Sequence, residues 1–308
     1  MPRIISPALA LFLVAVACGG GEGGDEPSGT DNRPLVVATT SIIGDIVSAT
    51  FGDGVRVEVL VSGTQDPHSY RPSPEQVASL READLVVANG LGLEEALIDI
   101  LDASIADGAE ILYLGDLIDP LTLDQADDHG LFDPHFWFDP RRMEQAIGPL
   151  GEALAAVAPT GAQMWREGAA AYQSLLRAVD ADIREMVADI PETDRKLVTT
   201  HDSLRYFADA YGFTIIGTVI PGASTLAEPS ASDLADLIGI IRTEGVRVIF
   251  ADTTRPIRMA EVVAAEVGHD ITVVELFTGA LGGPDTEANT YLGYLLTNAR
   301  LIVQALGS

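Results

Sequence analysis

Residues 161–190 read GAQMWREGAAAYQSLLRAVDADIREMVADI, and the spacing of their apolar side chains decides the architecture of this chain. An apolar residue recurs every three or four positions, which is the period of one face of an α-helix. We therefore predict a helix over residues 161–189, about 43 Å long at 1.5 Å per residue. Such a helix can run beside two lobes and hold them rigidly. Its apolar face consists of Trp165, Ala169, Tyr172, Leu176, Val179, Ile183, Met186 and Ile190.

On either side of this helix, short strand-like runs alternate with helical patterns. A clear helix start is Ser73, since Pro74 fits the first helical position and Gln76 completes a capping box. Strands that alternate with helices form parallel sheets covered on both faces. The fold class is therefore α/β, with two lobes that each contain a four-stranded parallel sheet and flanking helices. The predicted strands are residues 35–39, 55–61, 85–88, 110–114, 196–200, 214–220, 246–251 and 271–276.

The N-terminus has the pattern of an export signal. Residues 4–17 form an apolar run behind Arg3 that is too short to span a membrane and is typical of a signal peptide. The run ends in AVAC at 15–18, which resembles the lipobox of bacterial lipoproteins. We predict a signal peptide over residues 1–18 with Cys18 as the lipidation site; the alternative is an ordinary signal peptide that happens to contain this cysteine. Residues 19–33, rich in Gly, Ser, Pro and acidic residues, are predicted to form a flexible tether.

The rest of the chain is predicted to hold an N-terminal lobe at 34–158, the linking helix at 159–190 and a C-terminal lobe at 191–308.

The formal net charge of −28 argues against nucleic acid as a partner, because phosphates would be repelled. This charge suits a protein that concentrates cations, although an acidic surface also serves solubility alone. Cys18 is the only cysteine, so the sequence excludes an internal disulfide and a cysteine-based zinc cluster.

Three histidines follow predicted strands: His68, His135 and His201. Ligands of open α/β sheets bind beyond the carboxyl ends of the strands, and imidazole is a common ligand for zinc and related metals. We therefore predict that these three side chains bind one metal ion; the alternative for each is a hydrogen-bonded loop residue. Each has a carboxylate close in sequence that we expect to accept the second ring N–H and to orient the ring: Asp66, Asp139 and Asp202 respectively. His129 and His269 are predicted to lie in solvated loops.

Several motifs in this order resemble the zinc and manganese solute-binding lipoproteins of ABC transporters, from about residue 35 to the C-terminus. They are DPH at 66–68, RPSP at 71–74, DPHFWFDP at 133–140, THD at 200–202, GAST at 222–225, EPS at 228–230 and TYLG at 290–293. The resemblance implies two lobes joined by one long helix, with the metal bound between them by His68, His135 and His201. It also implies an ABC permease and its ATPase as partners.

The sequence departs from this resemblance at the expected fourth ligand. Many family members have an aspartate after the last strand, whereas this chain reads FTGALG at 277–282, so Gly279 offers no side chain. We expect water, Asp285 or Glu275 to take that position. A site of three neutral imidazoles favours Zn2+ over Mn2+, because manganese prefers more carboxylates and a higher coordination number.

The sequence therefore predicts the extracytoplasmic, lipid-anchored and monomeric binding component of a metal importer. It captures Zn2+, or less readily Mn2+, as the transported ligand and performs no catalysis. Two alternatives are a binding protein of the same fold for a metal chelate and a surface adhesin. A third is a zinc hydrolase, since three histidines and a water also activate water in such enzymes. The sequence lacks the helical Glu motif of metalloproteases and the Gly-x-Ser-x-Gly elbow.

Overall fold

Two parallel β-sheets form the framework of the computed structural model, which describes residues 31–127, 130–268 and 270–307. The first sheet consists of β1 (Leu35–Thr40), β2 (Arg56–Val61), β3 (Leu85–Ala88) and β4 (Ile111–Tyr113), in the order β2-β1-β3-β4. A short antiparallel hairpin follows, β5 (Thr122–Asp127) and β6 (Gly130–Phe132). The second sheet consists of β7 (Lys196–Thr199), β8 (Thr214–Thr218), β9 (Val248–Asp252) and β10 (Thr272–Leu276), in the order β10-β9-β7-β8. In each sheet the first and third strands are therefore central, so the two lobes share one topology.

The helices that cover these sheets begin with local signals that the sequence carries. At the second helix, the Ser73 hydroxyl accepts from the backbone N–H of Gln76, whose side chain accepts from the Ser73 N–H. Pro74 occupies the first turn, so the predicted capping box is confirmed. The helices are α1 (Ser41–Phe51), α2 (Pro74–Glu82), α3 (Ile98–Ala106), α4 (Pro140–Val157), α5 (Ala162–Ala188), α6 (Arg205–Tyr211), α7 (Ala231–Glu244), α8 (Arg258–Val267) and α9 (Tyr291–Leu306).

The long helix predicted from residues 161–190 is confirmed as α5, which has 27 residues. Its apolar face is buried as predicted, except that Met186 is half-buried and Val187 takes the fully buried position. The helix packs against α1, α4 and α9. One continuous apolar core therefore includes residues of both sheets, such as Val36 and Phe250, together with the α5 face.

Two elements were not predicted. The helix α4 starts at Pro140, where the Asp139 side chain accepts from the backbone N–H of Arg141 and so caps the first turn. Its buried residues Met143, Ile147, Leu150 and Leu154 have helical spacing, so the periodicity was present in the sequence. The hairpin β5–β6 lies in the acidic stretch before His135, where the sequence shows no apolar alternation. His135 therefore follows this hairpin and does not follow β4 directly.

Several predicted features lie outside the described residues: the signal peptide and Cys18, most of the tether, and the loop positions of His129 and His269. Residues 33–308 make up one compact unit. Among the helices of the described residues, none is long and apolar enough to cross a membrane.

The contact between α5 and α1 generates a stability prediction. Gly168 in α5 lies so close to α1 that a Cβ atom added there would be 2.4 Å from the carbonyl oxygen of Thr50. Replacing a helical glycine by alanine normally stabilises a helix by about 1 kcal/mol. We expect Gly168→Ala to lower the free energy of unfolding instead, by roughly 1–3 kcal/mol, because the backbone must move apart. Urea denaturation of the chain produced without residues 1–32 measures the change.

The matched control is Gly239→Ala in α7, where an added Cβ would meet no atom within 4 Å. This variant should raise the free energy of unfolding by roughly 0.5–1 kcal/mol, since only helix propensity changes. A stabilised Gly168→Ala would show that α5 does not pack tightly on α1.

Candidate metal centre

The structure brings the three predicted histidines together between the two sheets. His68 lies in the loop after β2, His135 precedes the short 3-10 turn Phe136–Phe138, and His201 lies two residues beyond the end of β7. All three side chains are almost completely buried. One ring nitrogen from each lies within 4.8 Å of the other two. No other group of three such residues meets this geometry in the described part of the chain.

The separation of the ring nitrogens matches a shared ligand. Nε2 of His68 is 3.3 Å from Nε2 of His135. Two nitrogens that each lie 2.0–2.1 Å from one tetrahedral zinc ion are about 3.3 Å apart. The His201 ring completes the triangle, with its centroid 5.2 Å from that of His135 and 6.2 Å from that of His68. The arrangement therefore fits a single ion without a large movement of the rings.

A carboxylate faces the other nitrogen of each ring. Nδ1 of His68 is 3.0 Å from Glu95, and Nδ1 of His135 is 2.7 Å from Asp133. Nδ1 of His201 is 3.5 Å from Asp252. A carboxylate at Nδ1 fixes the hydrogen on that nitrogen and leaves the Nε2 lone pair for a metal. Nε2 of His68 and Nε2 of His135 are therefore free to face a metal, whereas the longer contact to Asp252 leaves Nδ1 of His201 buried without a hydrogen-bond partner.

These partners correct the predicted ones. Asp66 accepts from the backbone N–H of His68 and does not contact the ring. Asp139 caps α4 and forms an ion pair with Arg142 at 2.7 Å, while Asp202 forms one with Arg205 at 3.2 Å. The carboxylates closest in sequence to the histidines are therefore not their ring partners. In two of the three cases, Asp139 and Asp202, the acidic side chain instead faces an arginine of the following helix.

Burial sets the charge state of the site. It lowers the pKa of His201 to about 3, although Asp252 opposes the shift, and it lowers the pKa of His135 well below its usual value. The same burial raises the pKa of the Asp133 carboxyl to about 7, against the hydrogen bond from the His135 backbone. The rings of His135 and His201 are therefore neutral at neutral pH, which is the form that binds a cation.

The cavity between the three rings is small and has both aromatic and polar walls. The Trp137 ring lies 5.2 Å from the His135 ring, and its Nε1 donates to the Thr278 carbonyl and to the Tyr294 hydroxyl. The cavity between the rings has a volume of about 10 Å3, comparable to the space that one water molecule needs. Gly279 lines this cavity, together with the side chains of Asp66, Asp252, Thr225 and Thr254.

Neither carboxylate predicted as the fourth ligand enters this cavity. Glu275 and Asp285 are both exposed, and neither lines it. The carboxylates that do line it are Asp66 and Asp252. Gly279 occupies the place of the missing side chain, and a Cβ atom there would be 3.1 Å from Cδ of Pro67.

Comparison with known proteins agrees with this geometry. The family described as "ZnuA: Zinc-uptake complex component A periplasmic" matches residues 36–305. The chain belongs to the ZnuA family. It is 31% identical over 287 residues to the zinc-binding protein TroA of Treponema pallidum, which covers 92% of each chain. The solved structure of the Treponema TroA superposes with a TM-score of 0.83 at 32% identity, over 89% of this chain and 99% of that one.

Other relatives in the ZnuA family carry the names of other metals. The manganese-binding lipoprotein MntA of Halalkalibacterium halodurans is 28% identical over 97% of this chain and 96% of its own length. The iron-binding protein YfeA of Yersinia pestis is 28% identical over 92% of this chain and 89% of its own length. The predicted family and fold class are thus confirmed, and membership alone leaves the choice of metal open.

Sequence reasoning missed Glu95, Asp133 and Asp252. Asp133 is part of the DPHFWFDP motif and also accepts from the His135 backbone N–H, so an Asp-x-His turn was a usable signal. Asp252 is the last residue of the buried strand β9, the edge where ligands of parallel sheets bind. Glu95 lies 27 residues from His68, in the short 3-10 helix Glu95–Leu97, and no sequence pattern singles it out.

The contact between Glu95 and His68 generates a prediction about affinity. Removing an acceptor that orients a metal-ligating histidine typically weakens metal binding 10- to 100-fold. We expect Glu95→Gln to weaken zinc binding by a factor in that range, because an amide holds the His68 ring and its tautomer less firmly. Competition against a chromophoric chelator measures the affinity. Asp202→Asn is the control, and an equal loss there would contradict the pairing described above.

Proposed function

We propose that this chain captures a divalent transition metal, zinc in preference to manganese, and delivers it to the permease of an ABC importer. The observation that carries the proposal is the cluster of three buried histidines whose metal-facing nitrogens lie within 4.8 Å of one another. A protein that delivers an ion binds and releases it without catalysing a reaction. Membership of the ZnuA family supports the same role.

The preference for zinc rests on the donor set. The three imidazoles are nitrogen donors, and Gly279 contributes no carboxylate to the cavity. Nitrogen donors at tetrahedral spacing suit zinc, whereas manganese favours oxygen donors and a larger coordination number. The 3.3 Å separation of two Nε2 atoms agrees with the tetrahedral case.

The size of the cavity favours a bare ion over a metal chelate. Its volume of about 10 Å3 leaves no space for an organic ligand beside the metal. An anionic chelate would also need a cationic partner in the cleft. Arg255, the arginine next to the cavity wall, already forms an ion pair with Asp66.

Delivery requires a location outside the cytoplasm and a route to the permease. The predicted lipobox at Cys18 and the tether over residues 19–33 would anchor a monomer to the membrane and let it reach the permease and its ATPase. The lipoprotein name of the relative MntA supports this anchoring. The anchored protein would then lie in a periplasm or on the cell surface.

Calorimetric titration of the metal-free protein, produced without residues 1–32, tests the proposal. We expect one zinc ion per chain to bind tightly and manganese to bind more weakly. Zinc at 1,000 times its Kd should raise the free energy of unfolding by about 4.1 kcal/mol, because it binds only the folded state. His135→Ala should abolish the binding, whereas Asp285→Asn should leave it unchanged. Stronger binding of manganese would overturn the metal preference, and binding of neither metal would overturn the function.

Gly279→Asp tests the link between the donor set and the preference. The new carboxylate would enter the cavity beside the three rings, although Pro67 must move by a few tenths of an ångström. We expect manganese affinity to rise by roughly tenfold, the effect of about 1.4 kcal/mol, and the ratio of zinc to manganese affinity to fall. Gly283→Asp, at a position where an added Cβ meets no atom within 4 Å, is the control for the added negative charge. An unchanged ratio in Gly279→Asp would show that position 279 does not set the preference.

A further inference from the structure

The carboxylate of Asp66 joins the loop of His68 to the opposite lobe. One oxygen, Oδ1, accepts from the backbone N–H of His68 at 3.0 Å. The other, Oδ2, accepts from the Thr225 hydroxyl at 2.6 Å and from Nη1 of Arg255 at 3.2 Å. Thr225 precedes α7 and Arg255 follows β9, so both partners belong to the second lobe. One side chain thus connects a metal-facing histidine of the first lobe with two residues of the second.

The surroundings of the other two histidines are different. His135 is fixed from the second lobe through the core, since the Tyr206 hydroxyl donates to the Asp133 carbonyl and Trp137 donates to the Thr278 carbonyl. His201 lies directly beyond the central strand β7. His68 instead lies in the segment 62–73, which follows the edge strand β2 and contains no helix or strand. Of the three, it is therefore the histidine whose position depends on a loop.

We infer that Asp66, Thr225 and Arg255 form a latch that holds the His68 loop closed over the ion and sets how slowly the ion leaves. The inference rests on the proposed function and assigns the three residues a positioning role, since none of them belongs to the histidine cluster. Within the first lobe, His68 stays attached to Glu95 and to the backbone of Ala96. Opening the latch therefore releases the His68 loop from the second lobe and separates His68 from His201.

The burial of the latch makes it strong enough to control release. Thr225 is 2% exposed and the side chain of Asp66 is 10% exposed, so water competes weakly for the carboxylate. Hydrogen bonds to a charged group are stronger than neutral ones. Because the latch contacts form only when the loop is closed, their loss should act on the dissociation rate of the metal and leave the association rate nearly unchanged.

Stopped-flow mixing of the zinc-loaded protein with excess chelator tests the latch. The variants change its two residues in the second lobe, Thr225 and Arg255. Thr225→Val removes the hydroxyl at nearly constant volume, and Arg255→Gln removes the charge. We expect each variant to raise koff for zinc about tenfold, the effect of one lost charged hydrogen bond, while kon stays within about twofold. Thr225→Ser should restore the slow release.

The matched control is Arg258→Gln, which removes the same charge three residues away, from an exposed position at the start of α8. An equal effect there would mean that net charge, and not the latch, controls release. Unchanged koff in both Thr225→Val and Arg255→Gln, with normal binding in the unmodified chain, would overturn the latch and leave the proposed function standing.

Hydrogen exchange of the metal-free protein supplies a readout that does not depend on metal binding. The latch predicts faster amide exchange over residues 62–73 in Thr225→Val and Arg255→Gln, with no change in α5. Failure of the unmodified chain to bind either metal would overturn the proposed function and with it the role in release. Unchanged exchange over residues 62–73 would overturn the latch itself.

Discussion

The continuous apolar core between the two sheets is the constraint on which the metal centre depends. Two of its buried tyrosine hydroxyls are satisfied internally: the Tyr291 hydroxyl donates to the Trp137 carbonyl, and the Tyr294 hydroxyl donates to the Thr278 carbonyl. Buried aromatic side chains of this kind contribute large apolar area and still place a hydrogen bond at one end. The core and the helix α5 therefore hold the two sheets in a fixed relation. Small adjustments of loops, and not a wide opening of the lobes, are the movements that this architecture favours.

In the candidate metal centre, the nitrogens proposed to bind the ion are distinct from most of the carboxylates that would balance its charge. In the proposed site the ring nitrogens face the ion, while the carboxylates of Glu95 and Asp133 contact the far side of two rings and Asp252 lies beside both the His201 ring and the cavity. A buried ion needs compensating negative charge, because the interior of a protein solvates charge poorly. Carboxylates behind the rings supply this charge without becoming ligands themselves. Nitrogen donors can thus set the choice of metal while the surrounding acids contribute to its affinity.

Much of the fold could be predicted because its signals are local. The α5 face has a period of three to four residues, and Ser73 and Gln76 form a capping box within one turn. The three histidines could also be predicted from the sequence, because each follows a strand or belongs to a recognisable motif. The carboxylates behind them could not, because their partners depend on tertiary contacts: Asp252 lies 51 positions from His201, and the nearer Asp202 faces Arg205. The start of α4 is harder to predict, because its cap Asp139 and its first residue Pro140 also belong to the histidine motif DPHFWFDP.

The glycine at position 279 and the loop of His68 are connected through Pro67. A side chain at 279 would begin 3.1 Å from the Pro67 ring and 3.6 Å from Cγ2 of Thr254, so it would occupy space that the closed loop now uses. The absence of a side chain therefore does two things, since it removes a carboxylate from the cavity and lets the loop approach the second lobe closely. A carboxylate at position 279 would connect the two lobes through the ion. In this chain Asp66 instead connects them directly, through its contacts with Thr225 and Arg255. Closure of the His68 loop thus depends on contacts beside the ion. The residues that hold the loop closed are therefore different from those that select the metal.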